Sequence, residues 1–203
     1  MSPKARDLIL RFEGINHPGK WPGGESGITI GYGTDLGYIS RKQFLEDWGN
    51  VLEQSVVDRL LVVIGKRGEE AHKWSTNLSD VVVTKEQAMK VFEKILPLEE
   101  AKTARLYPGL QNLPADAQGA LVSLVYNRGT SLVGERRTEM AEIAHHVLVG
   151  NLQAIANAIR RMKRLWQGKN LGGLITRREE EAKLIESCIT VSKTTEWNAT
   201  ETV

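Results

Sequence analysis

RFEGINHPGKWPGGESGITIGYGTDLGY, residues 11–38, is the stretch whose reading decides the fold. Its first residues close an amphipathic helix. Ser2 and Pro3 supply a capping hydroxyl and a first-turn proline, and Ala5, Leu8, Ile9 and Phe12 recur at helical spacing. Gly14 suits the left-handed position that stops a helix. Glu13 is thereby left at the helix end, near the face of Ile9 and Phe12 but outside the apolar stripe. The run from His17 to Gly27 is dense in proline and glycine and reads as a loop. Ile28, Ile30 and Tyr32 then alternate with Thr29 and Gly31, the period of a strand, and Thr34 to Gly37 reads as a turn. Gly31 and Gly33 fit a strand that a ligand or another backbone approaches closely.

Outward from this stretch the pattern turns helical. Apolar spacing predicts helices near 40–48, 50–64, 84–105, 114–128, 136–149, 151–166 and 173–187. Thr84-Lys85-Glu86-Gln87 has the form of a capping box, and Pro114 fits a first-turn proline. Residues 66–83 read as one short helix and a loop, and the tail from Ser192 to Val203 is polar and without periodicity, either frayed or packed only at Trp197. The predicted architecture is α+β, mostly α: a single domain over 1–187, with a hairpin-bearing lobe at 1–50 and a helical lobe at 51–187, then a polar tail at 188–203.

A chain of 203 residues, 41% hydrophobic and 26% charged, can bury one sizeable core. A net charge of +2 gives no global signature of a nucleic-acid protein, and nucleic acid is not an expected partner. The cluster Arg160, Arg161, Lys163 and Arg164 reads either as a solvated helix face or as a basic rim toward an anionic polymer. Cys188 is the sole cysteine, so no intrachain disulfide forms. No segment has the length of a signal peptide core or a membrane span. A cytosolic folding site is permitted though not demanded, and a target outside the cytoplasm would require release or delivery of the protein by another system.

Glu13 and Asp35 invite a specific chemistry. Glycoside cleavage needs an acid that protonates the leaving oxygen and a second carboxylate that stays ionised. A carboxyl at a helix end beside Phe12 suits the acid, because partial burial favours its protonated form. Asp35, in a turn among glycine amides, suits the second role, since N–H donors favour the charged form. Thr29 is placed to orient water with Asp35, and Glu25 is a competing second carboxylate. Each also has a plainer reading: a solvated helix-end glutamate, a turn aspartate, a strand threonine. Other chemistries fit less well. Leu36 stands where the third glycine of a dinucleotide-binding motif belongs, Ser26 lacks a nucleophile-elbow context, and adjacent His145 and His146 cannot share a helix face as metal ligands. No metal and no cofactor is expected.

The segment FEG…GITIGYGTDLGY resembles the active-site region of the phage-type lysozymes, glycoside hydrolase family 24, closest to their pesticin-like antibacterial branch. VTKEQAMKVF (83–92), ALVSLVYNRGTS (120–131), GNLQAIANAIRRMKRLW (150–166) and GLITRREEEAKLI (173–185) resemble the family's later helices in the family's order. The resemblance implies a lysozyme-like fold and a bacteriolytic muramidase cutting the β-1,4 bond between N-acetylmuramic acid and N-acetylglucosamine in peptidoglycan glycan strands. It puts the catalytic glutamate on Glu13, the active-site threonine on Thr29 and, six residues later as in the pesticin-like pattern, the aspartate on Asp35. Phage enzymes carry the aspartate six residues before the threonine, where this chain has Gly23. Arg177 or Arg178 would support the catalytic acid, and the substrate-binding candidates are Trp21, Gly31, Tyr32 and Asn127. The implied protein is a monomer, and a toxin of this kind would meet an immunity or inhibitor protein. A lytic transglycosylase, a chitinase-like glycosidase or a catalytically silent wall-binding module would share the fold.

Overall fold

Helix α1 (Pro3–Glu13) starts where the capping residues put it: the Ala5 amide donates to Ser2 Oγ at 3.2 Å. The structure, a computed structural model, describes the backbone of residues 1–199 and the side chains of residues 1–189. The chain forms two compact units, Glu13–Pro97 and a second made of Met1–Phe12 with the chain from Leu98 onward. Its class is α+β, mostly α, with one two-stranded antiparallel sheet and nine α-helices among the described residues.

In the Glu13–Pro97 unit the hairpin is short. Strand β1 (Thr29–Ile30) pairs with β2 (Thr34–Asp35) in the register Thr29 to Asp35 and Ile30 to Thr34. The reversal therefore lies at residues 31–33, and Thr34–Asp35, expected within a turn, is a strand. Gly31 and Gly33 take φ of +55° and +87°, a conformation that side chains with a Cβ avoid, and this is what reverses the chain. Helices α2 (Arg41–Trp48), α3 (Gln54–Leu61) and α4 (Gly68–Thr76) follow. Ser40 Oγ caps α2 by accepting from the Gln43 amide at 3.1 Å. The helix expected over 50–64 occupies only its middle, and α4 is the short helix expected within 66–83. Ile28, Ile30, Leu36, Phe44, Trp48 and Leu60 are all fully buried and form the unit's core.

Helix α5 (Lys85–Leu106) begins with the predicted capping box. The Thr84 amide donates to Gln87 Oε1 at 2.9 Å, and the Gln87 amide donates to Thr84 Oγ1 at 3.2 Å. It continues from one unit into the other with Pro97 in its interior.

The other unit is a helical bundle. Helix α6 (Ala115–Arg128) starts one residue after Pro114, which serves as its N-cap. A Cβ at Gly119 would stand 2.1 Å from Ala5 Cβ, so a glycine is what lets α6 lie against α1. Helix α7 (Thr138–Leu148) packs on α8 (Leu152–Arg161), and α8 packs on α9 (Gly172–Ala199). The helix expected over 151–166 changes at Met162 into a 3₁₀ turn, Met162–Leu165. Helix α9 runs on past 187 to Ala199, and the Trp197 side chain lies outside the described residues. Tyr107, Met140, Ile155, Ile159, Trp166 and Ile185 are among the core residues, and Cys188 lies at its edge, 8% exposed.

The basic cluster at 160–164 is neutralised within this unit. Arg160 binds Glu179 and Glu186, Arg161 binds Glu142, Lys163 binds Glu179, and Arg164 binds Glu139. This overturns the reading of a basic rim, since each cation already faces a carboxylate. No helix of the described residues is long and apolar enough to cross a membrane.

Candidate active site

The hairpin and the loops around it gather the candidate residues of the Glu13–Pro97 unit. Glu13 is the last residue of α1 and half-buried, and Gly14 after it takes φ of +59°. Two residues on, Asn16 joins this helix end to the hairpin. Its backbone exchanges two hydrogen bonds with Gly31, both 2.9 Å, and its Nδ2 donates to the carbonyls of Gly31 (3.1 Å) and Glu13 (3.4 Å). The end of the acid-bearing helix is thus fixed to the end of β1. Sequence reading passed over Asn16, although an amide side chain just past a helix stop is suited to such a tie.

Thr29 and Asp35 face each other across the two strands. Residues directly opposite in an antiparallel pair project to the same face, so the hydroxyl and the carboxylate share one side of the hairpin. Thr29 is 9% exposed and Asp35 is half-buried. Asp35 Oδ1 accepts from the Gly37 amide at 2.8 Å and the Gly27 amide at 3.0 Å, while Oδ2 has only a longer 3.3 Å contact to Gly27. One oxygen is anchored and the other is left more available. The contact to Gly37, two residues on, is an Asx-type turn legible in the Asp-Leu-Gly order, whereas the contact to Gly27 needs the fold.

Burial pushes the Asp35 carboxyl above its ordinary pKa, and this outweighs the lowering effect of the Gly37 and Gly27 amides and of the Arg67 charge. The sequence expectation weighed only the amides. Desolvation is the larger effect because the carboxylate sits between two chain segments in close contact. A Cβ at Gly27 would come 2.2 Å from the Gly37 nitrogen.

Glu25, the rival carboxylate, is on the exposed side of the glycine-rich loop, and its backbone carbonyl accepts from Tyr38 Oη at 3.1 Å. Trp21 donates from Nε1 to the Ser26 carbonyl at 2.9 Å and stacks on His72, with ring centres 4.8 Å apart. What approaches Gly31 is the Trp48 ring, whose Cη2 lies 2.5 Å from where a Cβ would be. Tyr32 is buried against Phe92, edge to face at 5.6 Å.

Three candidates belong to the helical unit. Asn127 is half-buried near the end of α6. Arg177 and Arg178 are buried on α9. Arg177 Nη2 donates to the Ser123 carbonyl at 3.0 Å, and Arg178 Nη2 donates to Glu181 Oε1 at 2.8 Å. Ser123 Oγ donates to the same Glu181 oxygen at 2.6 Å. Ser123 and Glu181 were not anticipated from sequence. They hold the two guanidinium groups in defined positions.

The arrangement in the Glu13–Pro97 unit is a glutamate at a helix end whose backbone carbonyl is tied to a hairpin, one face of which carries a hydroxyl and an amide-held carboxylate. Such a set can protonate a leaving oxygen and position water. Residues 11–181 match the model of a family described as phage lysozyme. No curated protein matches the chain.

Proposed function

The chain belongs to the phage lysozyme family, and from that premise we propose that it hydrolyses the β-1,4 bond between N-acetylmuramic acid and N-acetylglucosamine and thereby lyses bacteria. The family is one of peptidoglycan-lytic muramidases. The observation that carries the finer reading is the register of the hairpin: Thr29 stands opposite Asp35, and Asn16 ties the same hairpin to the carbonyl of Glu13.

In this reading Glu13 gives its proton to the glycosidic oxygen as the bond breaks. Asp35, through its less engaged Oδ2, and the Thr29 hydroxyl hold the water that attacks the anomeric carbon. Glu25 is the less suited second carboxylate because it is exposed and is not held by a pair of amides. The order of Thr29 before Asp35 supports the pesticin-like branch, and with it an antibacterial role, release or delivery from the cytoplasm, and an immunity or inhibitor protein as partner. Trp21 and Asn127 remain the proposed sugar contacts, with Gly31 and Tyr32 shaping the hairpin beside them. Arg177 or Arg178 is proposed to support Glu13. Replacing the right one alters the pH profile of activity, and unchanged profiles for both Arg177→Ala and Arg178→Ala would remove that role.

Digestion of purified peptidoglycan with product analysis tests the proposal. Wild type is expected to release new reducing ends. Glu13→Gln should lose on the order of a hundredfold or more in rate, the scale of a lost general acid, and Asp35→Asn should lose far more than Glu25→Gln. Anhydro sugar products would instead indicate a transglycosylase. Binding without turnover would indicate a silent wall-binding module.

A further inference from the structure

Arg67 combines a fixed guanidinium with the lack of an ion-pair partner. Arg59 pairs with Asp80, Lys66 with Glu70 and Lys94 with Asp47. Among the described residues no carboxylate lies within ion-pair distance of Arg67, which is exposed. Its guanidinium is nevertheless held. It lies over the ring of Tyr38, 4.8 Å from the centroid, and its stem packs on Gly37, where Cγ would be 2.6 Å from an added Cβ. The Tyr38 ring is itself fixed by its hydroxyl, which donates to the Glu25 carbonyl. Gly37 is the residue whose amide anchors Asp35. A cation whose position is set by packing, in direct ion-pair contact with no carboxylate of the described residues, is thus built onto the turn that carries the proposed second carboxylate.

A guanidinium resting on an aromatic face keeps its N–H edge free for a planar anion and loses little side-chain freedom when one arrives. Tyr38, 62% exposed, offers the adjoining apolar surface. Peptidoglycan differs from a neutral polymer such as chitin in carrying carboxylates, on the stem peptides and, where these are removed, on the lactyl groups of the muramic acid. We infer that Arg67, set on Tyr38, is a specificity-determining group that binds a carboxylate of the peptidoglycan strand beside the cleavage site. This rests on the glycosidase reading above and adds a preference for anionic over neutral glycan.

The test compares soluble glycan strands bearing their stem peptides, the same strands with every carboxyl converted to a neutral amide by carbodiimide and ethanolamine, and strands stripped of peptides by an amidase. On the native strands Arg67→Gln should raise KM about five- to tenfold with kcat little changed, the scale of one charge-assisted contact at a solvated site. Arg67→Lys should fall between, because it keeps the charge but not the planar fork. On the neutralised strands wild type and Arg67→Gln should coincide. The effect surviving on stripped strands assigns the lactyl carboxylate, and its loss there assigns the stem peptide. An equal ratio on native and neutralised strands, or no change on either, overturns the inference, since Arg67 would then act only through Asp35 or not at all. Co-sedimentation with native and neutralised walls measures the same contrast without turnover. Binding that depends on Arg67 in a protein that cleaves nothing would therefore sink the glycosidase reading, and with it the place of Arg67 beside a cleavage site, while keeping its carboxylate contact.

Discussion

A Cβ added at Gly27 would lie 2.2 Å from the Gly37 nitrogen and 2.4 Å from Asp35 Oδ1, so this glycine is required by contact. Gly27→Ala must push the two segments apart and break the amide contacts that hold Asp35. The expected cost is about 1–3 kcal/mol of stability in urea unfolding, the usual range for forced overpacking, together with loss of activity. Asp35 makes a second, opposite kind of prediction. Burial raises its pKa, so the folded protein holds this proton more tightly than the unfolded chain. The stability so gained is fully present below the ordinary aspartate pKa and is lost as pH rises through the raised value. In Asp35→Asn the amide oxygen can still accept from Gly27 and Gly37, but nothing titrates. The stability of wild type relative to Asp35→Asn should therefore fall as pH rises from the ordinary aspartate value of about 4 through the raised value. A flat difference in urea titrations across that interval would contradict the burial of the carboxylate.

At the scale of elements, the helix starts were the most legible part of the sequence, because their signals are local. Ser2-Pro3 and Thr84–Gln87 announced α1 and α5, and the structure has the corresponding bonds. Thr84→Ala should destabilise the protein by about 1 kcal/mol, with Thr84→Ser close to neutral, as measured by thermal unfolding. The hairpin was legible as a strand but not in its reversal. A period of two marks residues that point to opposite faces, yet it continues unbroken into the Gly31-Tyr32-Gly33 turn, where the two glycines with positive φ were the overlooked sign. Asn16 escaped notice for another reason. Its partner Gly31 is fifteen residues away, and nothing in the residues between announces the bridge.

Across the whole molecule, what the sequence withheld was mainly pairing at long range. The cations at 160–164 form a conspicuous cluster in the chain, but the carboxylates that neutralise them come from α7 and from α9. The same distance hid the buried group of Ser123, Arg177, Arg178 and Glu181, in which Ser123 lies 58 residues from the glutamate it meets. Removing one member of a buried ion pair strands the others, so Glu181→Ala is expected to cost about 3–5 kcal/mol, read from denaturant unfolding. Arg160→Ala, at the rim of the bundle, should cost about 1 kcal/mol or less and respond to salt.

Cys188 gives the protein a built-in clock. Its thiol is nearly covered, and burial raises its pKa, so little reactive thiolate is present at neutral pH. Since the chain has no second sulfhydryl to compete, the rate at which an alkylating reagent modifies it, followed by mass spectrometry, counts how often the carboxyl-terminal helix breathes away from its neighbours. Native protein should label slowly, and low denaturant should quicken the reaction well before global unfolding begins.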